Sequence, residues 1–227
     1  MSAYFDVPSA PTALYGAQLA RVIDVNDPDQ LGRVQIKLYN FDGIQDQDAP
    51  VWARVAVPFA GNNRGAFFIP DVGDEVLVTF TNGDARYPIV VGSLWNGADK
   101  PPETLSSSVD RWVIVSKGGA RISIDESQGS SVVSLKTPSG KVVTLDDVQS
   151  NIKVDDATGN SITLDATGIT ITAAAKVSVN ASQVEVSAGQ VSVNAAMSTF
   201  SGIVQCNTLI ATAVVSSSYT PGAGNIW

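Results

Sequence analysis

The distal half of the chain repeats one short unit that has the period of a β-strand. From about residue 120 onward, two residues that favour strands flank a single residue and are followed by a small or polar spacer. The pairs are Ile122/Ile124, Val133/Leu135, Val143/Leu145, Ile152/Val154, Ile162/Leu164, Ile169/Ile171, Val177/Val179, Val184/Val186 and Val191/Val193. Early pairs recur at about ten residues and later ones at seven, and a fixed period of this kind is typical of a repetitive array.

The spacing within each pair separates this array from a coiled coil, which can also have a seven-residue period. Apolar residues of a coiled coil alternate three and four apart, whereas here they are two apart, as on one face of a strand. Val, Ile, Thr and Ser fill the repeats, and glycines such as Gly140, Gly159 and Gly168 separate them. The array is therefore predicted to consist of short strands and turns.

A single copy of this array is predicted to be too narrow to be stable alone. The backbone entropy lost in ordering each unit exceeds the free energy that burial of two valines returns, and a single ribbon would leave strand edges unpaired. We therefore expect several identical chains to wrap around one axis, with Ser, Thr, Asn and Lys outside. The predicted axial core comprises Ile152, Val154, Ile162, Leu164, Ile169, Ile171, Val177, Val179, Val184, Val186, Val191 and Val193.

A different pattern precedes the array. Between residues 18 and 97, alternating apolar residues separated by turn residues predict five short strands, at 19–25, 33–38, 51–57, 75–80 and 88–94. Turn residues at 26–32 reverse the chain after the first strand, and Asn82-Gly83 favours a tight hairpin. This number of strands in about eighty residues predicts a small closed barrel of the OB type, in which we expect Trp52 and Phe80 to fill the interior.

Together these patterns divide the chain into five segments. We expect an N-terminal arm at 1–17, an OB-fold domain at 18–97, a linker at 98–110, a needle at 111–200 and a tip segment at 201–227. Charge declines along the needle, and after Asp165 only Lys176 and Glu185 are charged, which suits a shaft that passes an apolar barrier or is capped by a partner. At the tip, Tyr219, Pro221 and Trp227 are expected to contact such a partner; the alternative is a frayed tail.

Composition and charge disfavour several kinds of function. The chain has 14 basic and 22 acidic residues, a net charge of −8, and no cluster of cations, which disfavours nucleic-acid binding. Its first residues resemble no secretory signal and no run approaches a membrane span, so we expect assembly in the cytoplasm. A single cysteine, Cys206, leaves no intrachain disulfide framework.

Few residues are suited to catalysis or metal binding. The chain has no histidine, and Cys206 has no cationic neighbours in the sequence. Adjacent carboxylates such as Asp125-Glu126 would face opposite sides of a strand and form no catalytic pair. Residues 24–29 bear a slight similarity to a calcium loop but lack its glycine and terminal glutamate, which favours an ordinary turn. We therefore predict no enzymatic activity and no cofactor.

Five ordered motifs of the barrel region carry a family resemblance. They are DPDQLGRV at 27–34, VWARV at 51–55, AGNNRG at 60–65, IPDVGDEVLV at 69–78 and GDARYPIVVGSLWNG at 83–97. This ordered set resembles the OB domain of baseplate spike proteins in contractile injection systems, namely the phage baseplate assembly protein V and the VgrG-type spikes. Beyond the linker, RWVIVSKGG at 111–119 and RISIDE at 121–126 resemble the start of that family's trimeric needle.

The resemblance implies a fold class and a set of partners. The expected fold is all-β, an N-terminal OB-fold barrel followed by an intertwined homotrimeric β-helix or β-prism needle. The expected partners are two further copies of the chain, a hub or tail tube protein at the OB end, a PAAR-type tip protein at the C-terminal end and, transiently, the target cell envelope. Two features of some relatives are missing here, since the linker is too short for a lysozyme-like domain and there is no His-x-His metal tip.

Function is therefore predicted to be structural. The chain would cap the tail tube of a baseplate, in a virion or an extracellular injection particle, and pierce the target envelope on sheath contraction. An alternative is a tail-fibre-like module that binds a receptor or glycan through its tip, and OB-type binding of single-stranded nucleic acid is a third, disfavoured by charge. The sequence leaves two roles open for four arginines, namely a solvated surface position or a salt bridge between subunits. They are Arg33, Arg54, Arg64 and Arg86.

Overall fold

The computed structural model describes residues 13–41 and 49–217. These residues form fourteen strands and two short 3-10 helices, so the fold is all-β as predicted. The strands are β1 (Gln18–Asp24), β2 (Val34–Leu38), β3 (Val51–Val55), β4 (Ala60–Gly61), β5 (Arg64–Gly65), β6 (Glu75–Phe80), β7 (Pro88–Leu94), β8 (Arg111–Val115), β9 (Arg121–Asp125), β10 (Val132–Lys136), β11 (Val142–Asp146), β12 (Asn151–Asp155), β13 (Ser161–Asp165) and β14 (Gly168–Thr172). The 3-10 helices are Tyr39–Phe41 and Thr81–Gly83.

The first five long strands close into a barrel in the order β1-β2-β3-β7-β6. Four of the five strand pairs are antiparallel, and β3 closes the barrel by pairing with β7 in parallel. This confirms the predicted OB barrel, with strand ends within two residues of the sequence prediction. The small hairpin of β4 and β5 was not predicted, because two-residue strands have no detectable alternation.

Small and β-branched residues fill the barrel. Its buried core consists of Ala20, Val22, Val34, Ile36, Ala53, Val76, Val78, Phe80 and Val90. Phe80 therefore fills the interior as predicted. The prediction for Trp52 was wrong: on β3 the inward position belongs to its neighbour Ala53, which is fully buried, so the indole lies half-buried on the outer side.

The turn from β1 to β2 is built around one buried carboxylate. Asp27 accepts hydrogen bonds from the backbone N–H groups of Asp29, Leu31 and Arg33 at 3.1, 2.8 and 3.2 Å. Nη2 of Arg33 also donates a hydrogen bond to Oδ1 of Asp27 at 2.6 Å. These donors, the Arg33 side chain foremost, hold the pKa of Asp27 far below its usual range. Since the carboxylate oxygens are directed at the protein's own donors, residues 24–29 form a turn and not a calcium loop.

A seven-stranded sheet follows the barrel. Strands β8 to β14 are ordered as they occur in the chain, and each pairs antiparallel with the next. This differs from the expectation that neighbouring chains pair the strand edges. Among the described strands of this sheet, β8 and β14 alone have an open edge.

Three turns on one side of this sheet repeat the same geometry. In each, a glycine with positive φ precedes the next strand: Gly119 (φ 85), Gly140 (φ 86) and Gly159 (φ 99). The hydroxyl or carboxylate oxygen at the start of each turn accepts a backbone N–H, as Thr137 Oγ1 does from Lys141 at 3.2 Å. Glycine is required because side chains rarely adopt this backbone conformation. These turns explain how one chain pairs its own strands.

Residues 177–217 form a separate unit of the chain. No strand or helix is assigned within this described range. Its valines at 177, 179, 184, 186, 191 and 193 are between 61% and 72% exposed. The strand-like sequence pattern of this segment therefore has no strand partner within the described part of the same chain.

Candidate assembly surface

Two continuous rows of apolar side chains cross the seven-stranded sheet on one face. The strand register aligns the residues of each row directly opposite one another. The first row is Trp112, Ile124, Val133, Leu145, Ile152, Leu164 and Ile169, and the second is Ile114, Ile122, Leu135, Val143, Val154, Ile162 and Ile171. Because the two rows are two residues apart on every strand, they lie on the same side. We call these fourteen residues the apolar face.

In one chain this face is open to solvent. Thirteen of its fourteen residues are large exposed hydrophobics, from 37% exposed at Ile124 to 70% at Ile169, and Val133 is half-buried. A contiguous apolar patch of this extent is rare on a protein that remains alone in water and marks a contact surface. The apolar face therefore requires a partner.

The opposite face of the sheet is polar. Its central row consists of Val113, Ser123, Ser134, Thr144, Lys153, Thr163 and Thr170. The hydroxyls of Ser123 and Ser134 are hydrogen-bonded across β9 and β10 at 2.8 Å, and Nζ of Lys153 pairs with Asp155 at 2.9 Å. The sheet is thus amphipathic, with one face suited to burial and one to water.

The structure brings half of the predicted axial core together on the apolar face. Ile152, Val154, Ile162, Leu164, Ile169 and Ile171 occupy its last three strands. The predicted valines from 177 to 193 lie in the second unit and are exposed there. The core prediction omitted Trp112, Ile114, Ile122, Ile124, Val133, Leu135, Val143 and Leu145, although six of these eight already appeared as pairs in the repeat.

Ion pairs surround the first two strands of the sheet. Nε of Arg111 lies 3.1 Å from a carboxylate oxygen of Asp125, and its Nη1 lies 3.6 Å from Glu103. Arg121 also pairs with Glu103, and this hydrogen bond is the main reason that the pKa of Glu103 is lowered. The pKa of Asp125 is lowered mainly by the Ser127 hydroxyl. Glu103 thereby connects the segment before β8 to two adjacent strands.

A further ion pair connects the barrel to the sheet. Lys117, in the turn between β8 and β9, pairs with Asp71, which precedes β6. This contact lowers the pKa of Asp71 and raises that of Lys117. Lys117 is 88% exposed, so the pair contributes little to stability.

The four arginines left open by the sequence divide into two groups. Arg33 pairs with Asp27 and Asp29 of its own chain, and Arg86 pairs with Asp84. Within residues 13–41 and 49–217, Arg54 and Arg64 form no side-chain hydrogen bond or ion pair.

The remaining predicted positions concern chemistry and the tip. Among the described residues, no group of three or more His, Cys, Asp or Glu side chains is arranged to hold a metal ion. Cys206 is an exposed free thiol. Across the described chain, no helix has the length and apolar character needed to traverse a bilayer. Tyr219, Pro221 and Trp227 lie outside the described residues.

A closed OB barrel followed by a sheet with one open apolar face defines an all-β protein that associates through its distal part. Residues 18–95 match the family model described as the type VI secretion system/phage-baseplate injector OB domain. Residues 131–198 match the phage baseplate V C-terminal trimerisation domain. Together these ranges cover more than half of the chain, which therefore belongs to the baseplate V family of spike proteins.

Individual relatives include type VI secretion system spike proteins and a toxin. The chain is 38% identical over 89 residues to the type VI secretion system spike protein VgrG4b of Pseudomonas aeruginosa, covering 39% of this chain and 11% of the relative. It is 30% identical over 133 residues to VgrG1b of the same organism, covering 55% and 18%. It is 30% identical over 115 residues to the actin cross-linking toxin VgrG1 of Vibrio cholerae, covering 50% and 10%. The chain thus spans less than a fifth of each relative's length.

Proposed function

We propose that this chain is the central spike of a contractile injection machine and that it works as a homotrimer. The observation that carries the proposal is the apolar face. Its strands β10 to β14 fall within the range that matches the trimerisation domain. Three copies of the face, turned toward one threefold axis, would remove all of the exposed apolar rows from water at once.

The strand length supports a prism of three sheets. Each strand of the seven-stranded sheet has five residues and directs two side chains to the apolar face. Five residues extend about 17 Å, and an equilateral triangle with that side places each face about 5 Å from its axis, which is half of the roughly 10 Å between packed sheets. Three such sheets therefore leave room for two side chains per strand and for no channel.

The second unit extends the same proposal. Its exposed valine pairs have no strand partner within the described part of the chain. We propose that 177–193 becomes ordered by pairing with the corresponding segments of the two other copies, where each strand edge is covered by a neighbour. The chain would then divide as the sequence suggests, into an arm (1–17), a barrel (18–97), a linker (98–110), a needle (111–200) and a tip segment (201–227).

The proposed mechanism is mechanical. The barrels would dock on a hub or tail tube protein, the needle would transmit the thrust of sheath contraction into a target envelope, and the tip segment with Tyr219, Pro221 and Trp227 would hold a PAAR-type protein. A dry axial core and continuous backbone hydrogen bonds resist bending and unravelling. The chain would need no catalytic group or cofactor of its own. It would be assembled in the cytoplasm and become part of a virion or an injection particle.

Mass measurement tests the core of this proposal. The chain has a mass of 23.7 kDa, so sedimentation equilibrium of the purified protein should give three times that value over a wide range of dilution. Electron microscopy should then show a needle that extends from a wider head. A monodisperse monomer that stays ordered through residues 111–200 would refute the proposal, because the apolar face would then be stable in water.

A further inference from the structure

An open groove of about 810 Å³ crosses the outside of the barrel at strand β3. It lies between the turn that follows β1 and the turn that joins β6 to β7. Among the side chains that line it are Arg33, Trp52, Arg54, Asp84, Arg86 and Tyr87. In OB folds in general, the face of the second and third strands between these two loops is the ligand-binding face, which takes oligonucleotides and oligosaccharides. The groove therefore combines arginine and aromatic side chains at a place that suits an extended ligand.

Two arginine–aromatic pairs form the walls of the groove, and each arginine is paired with an aspartate of the same chain. The guanidinium of Arg33 lies 5.8 Å from the Trp52 ring and is fixed by Asp27 and Asp29, at 2.6 and 2.5 Å. The guanidinium of Arg86 lies 5.6 Å from the neighbouring Tyr87 ring and pairs with Asp84 at 2.6 Å. Side chains that are already ordered lose little entropy when a ligand binds.

Arg54 also lines the groove. It differs from Arg33 and Arg86 because no aspartate in the described part of the chain compensates its charge. It is exposed, and within the described residues it has no side-chain hydrogen bond or ion pair. Val34 pairs with Ala53, so the register places Arg54 beside Arg33, whose charge two aspartates already compensate. In a chain with a net charge of −8, an uncompensated guanidinium in a groove that Trp52 and Tyr87 also line is suited to attract an anion. The planar, fork-shaped guanidinium of Arg54 can donate two parallel N–H hydrogen bonds to the two oxygens of a carboxylate.

We propose that this groove binds an extended acidic polypeptide segment of a partner protein. Arg54 pairs with a carboxylate of that segment, and Trp52 and Tyr87 receive the side chains beside it. Arginine, tryptophan and tyrosine are the residues that most often dominate the affinity of protein interfaces. A nucleic-acid strand fits less well, because it needs several free cations along its backbone and the aspartates of this chain compensate Arg33 and Arg86.

The experiment uses the full chain and a labelled oligoglutamate peptide, followed by fluorescence anisotropy at low salt. An oligoglutamine peptide of equal length reports binding that does not depend on carboxylates. We expect the wild type to bind oligoglutamate only, and Arg54→Gln to weaken this binding about tenfold or more, the size expected for one charge-assisted contact. Arg54→Lys keeps the charge but loses the fork, so its affinity should be intermediate.

Arg21→Gln is the matched control. Arg21 is also an exposed barrel arginine without a side-chain hydrogen bond or ion pair in the described residues, and it lies on β1 outside the groove. This variant should bind as the wild type does. Equal binding by Arg54→Gln and wild type, absence of oligoglutamate binding, or tighter binding of oligothymidylate would each overturn the proposal. Every groove residue belongs to one barrel, so a monomeric mass would refute the trimer without affecting this test.

Discussion

Replacement of Ile162 by asparagine is the sharpest test of the apolar face. Ile162 occupies the second apolar row, opposite Val154 on β12 and Ile171 on β14. It is 41% exposed in one chain, and this remaining exposure is what a trimer would bury. The substitution changes the face and leaves the barrel core unchanged.

The expected cost follows from the exposed fraction. Full burial of an isoleucine side chain contributes about 1.5–3 kcal/mol, so the fraction still exposed corresponds to about 0.6–1.2 kcal/mol per copy and about 2–4 kcal/mol in a trimer. An unpaired amide in a dry interface adds about 1–3 kcal/mol per copy. The total is at least about 5 kcal/mol, which lowers the association constant by more than about three powers of ten.

Sedimentation equilibrium over a dilution series measures this change. Ile162→Asn should dissociate at concentrations where the wild type remains trimeric. Thr163→Asn is the control, because Thr163 is the next residue along β13 and lies on the polar face between Lys153 and Thr170. If Ile162→Asn associates as tightly as the wild type, or if Thr163→Asn dissociates to the same degree, the assignment of the two faces is wrong.

Three other predictions concern the stability of single elements. Ile36→Ala, at a fully buried barrel position, should lower the free energy of unfolding by about 2–5 kcal/mol in a denaturant titration. Because the folded-state pKa of Asp27 lies below its unfolded value, its pairing with Arg33 stabilises the barrel above about pH 4 and this contribution is lost as the pH falls further; Asp27→Asn should therefore lower the melting temperature at pH 7 and flatten its decline in acid. Gly140→Ala should destabilise the sheet by about 1–2 kcal/mol, since φ is 86° and the new Cβ would lie 3.1 Å from Ala157 Cβ. Gly118→Ala, where no atom lies within 4 Å, should be close to neutral in the same thermal melt.

Local patterns in the sequence were sufficient to predict the strands of the barrel. The predicted strands 75–80 and 88–94 have the same ends as β6 and β7, because alternation within a strand and turn residues beside it are both properties of neighbouring residues. Trp52 shows the limit of this reasoning. An aromatic residue in a strand is usually predicted to lie in the core. On β3, however, the closed barrel directs the Ala53 side chain inward and the Trp52 side chain outward.

The strand period, the turn glycines and the apolar pairs of the distal half are properties of the sequence alone, because each depends only on residues a few positions apart. What only the tertiary structure decided is the register, which aligns Leu145, Ile152 and Leu164 and their counterparts into two unbroken rows on one face. The groove on the barrel arose in the same way, since Arg33, Arg54 and Arg86 come from three separate segments. The groove depends on the pairing of β3 with β7, which are distant in the chain. The apolar face depends on the register of each consecutive strand pair, which follows from the hydrogen bonds that close between the two strands.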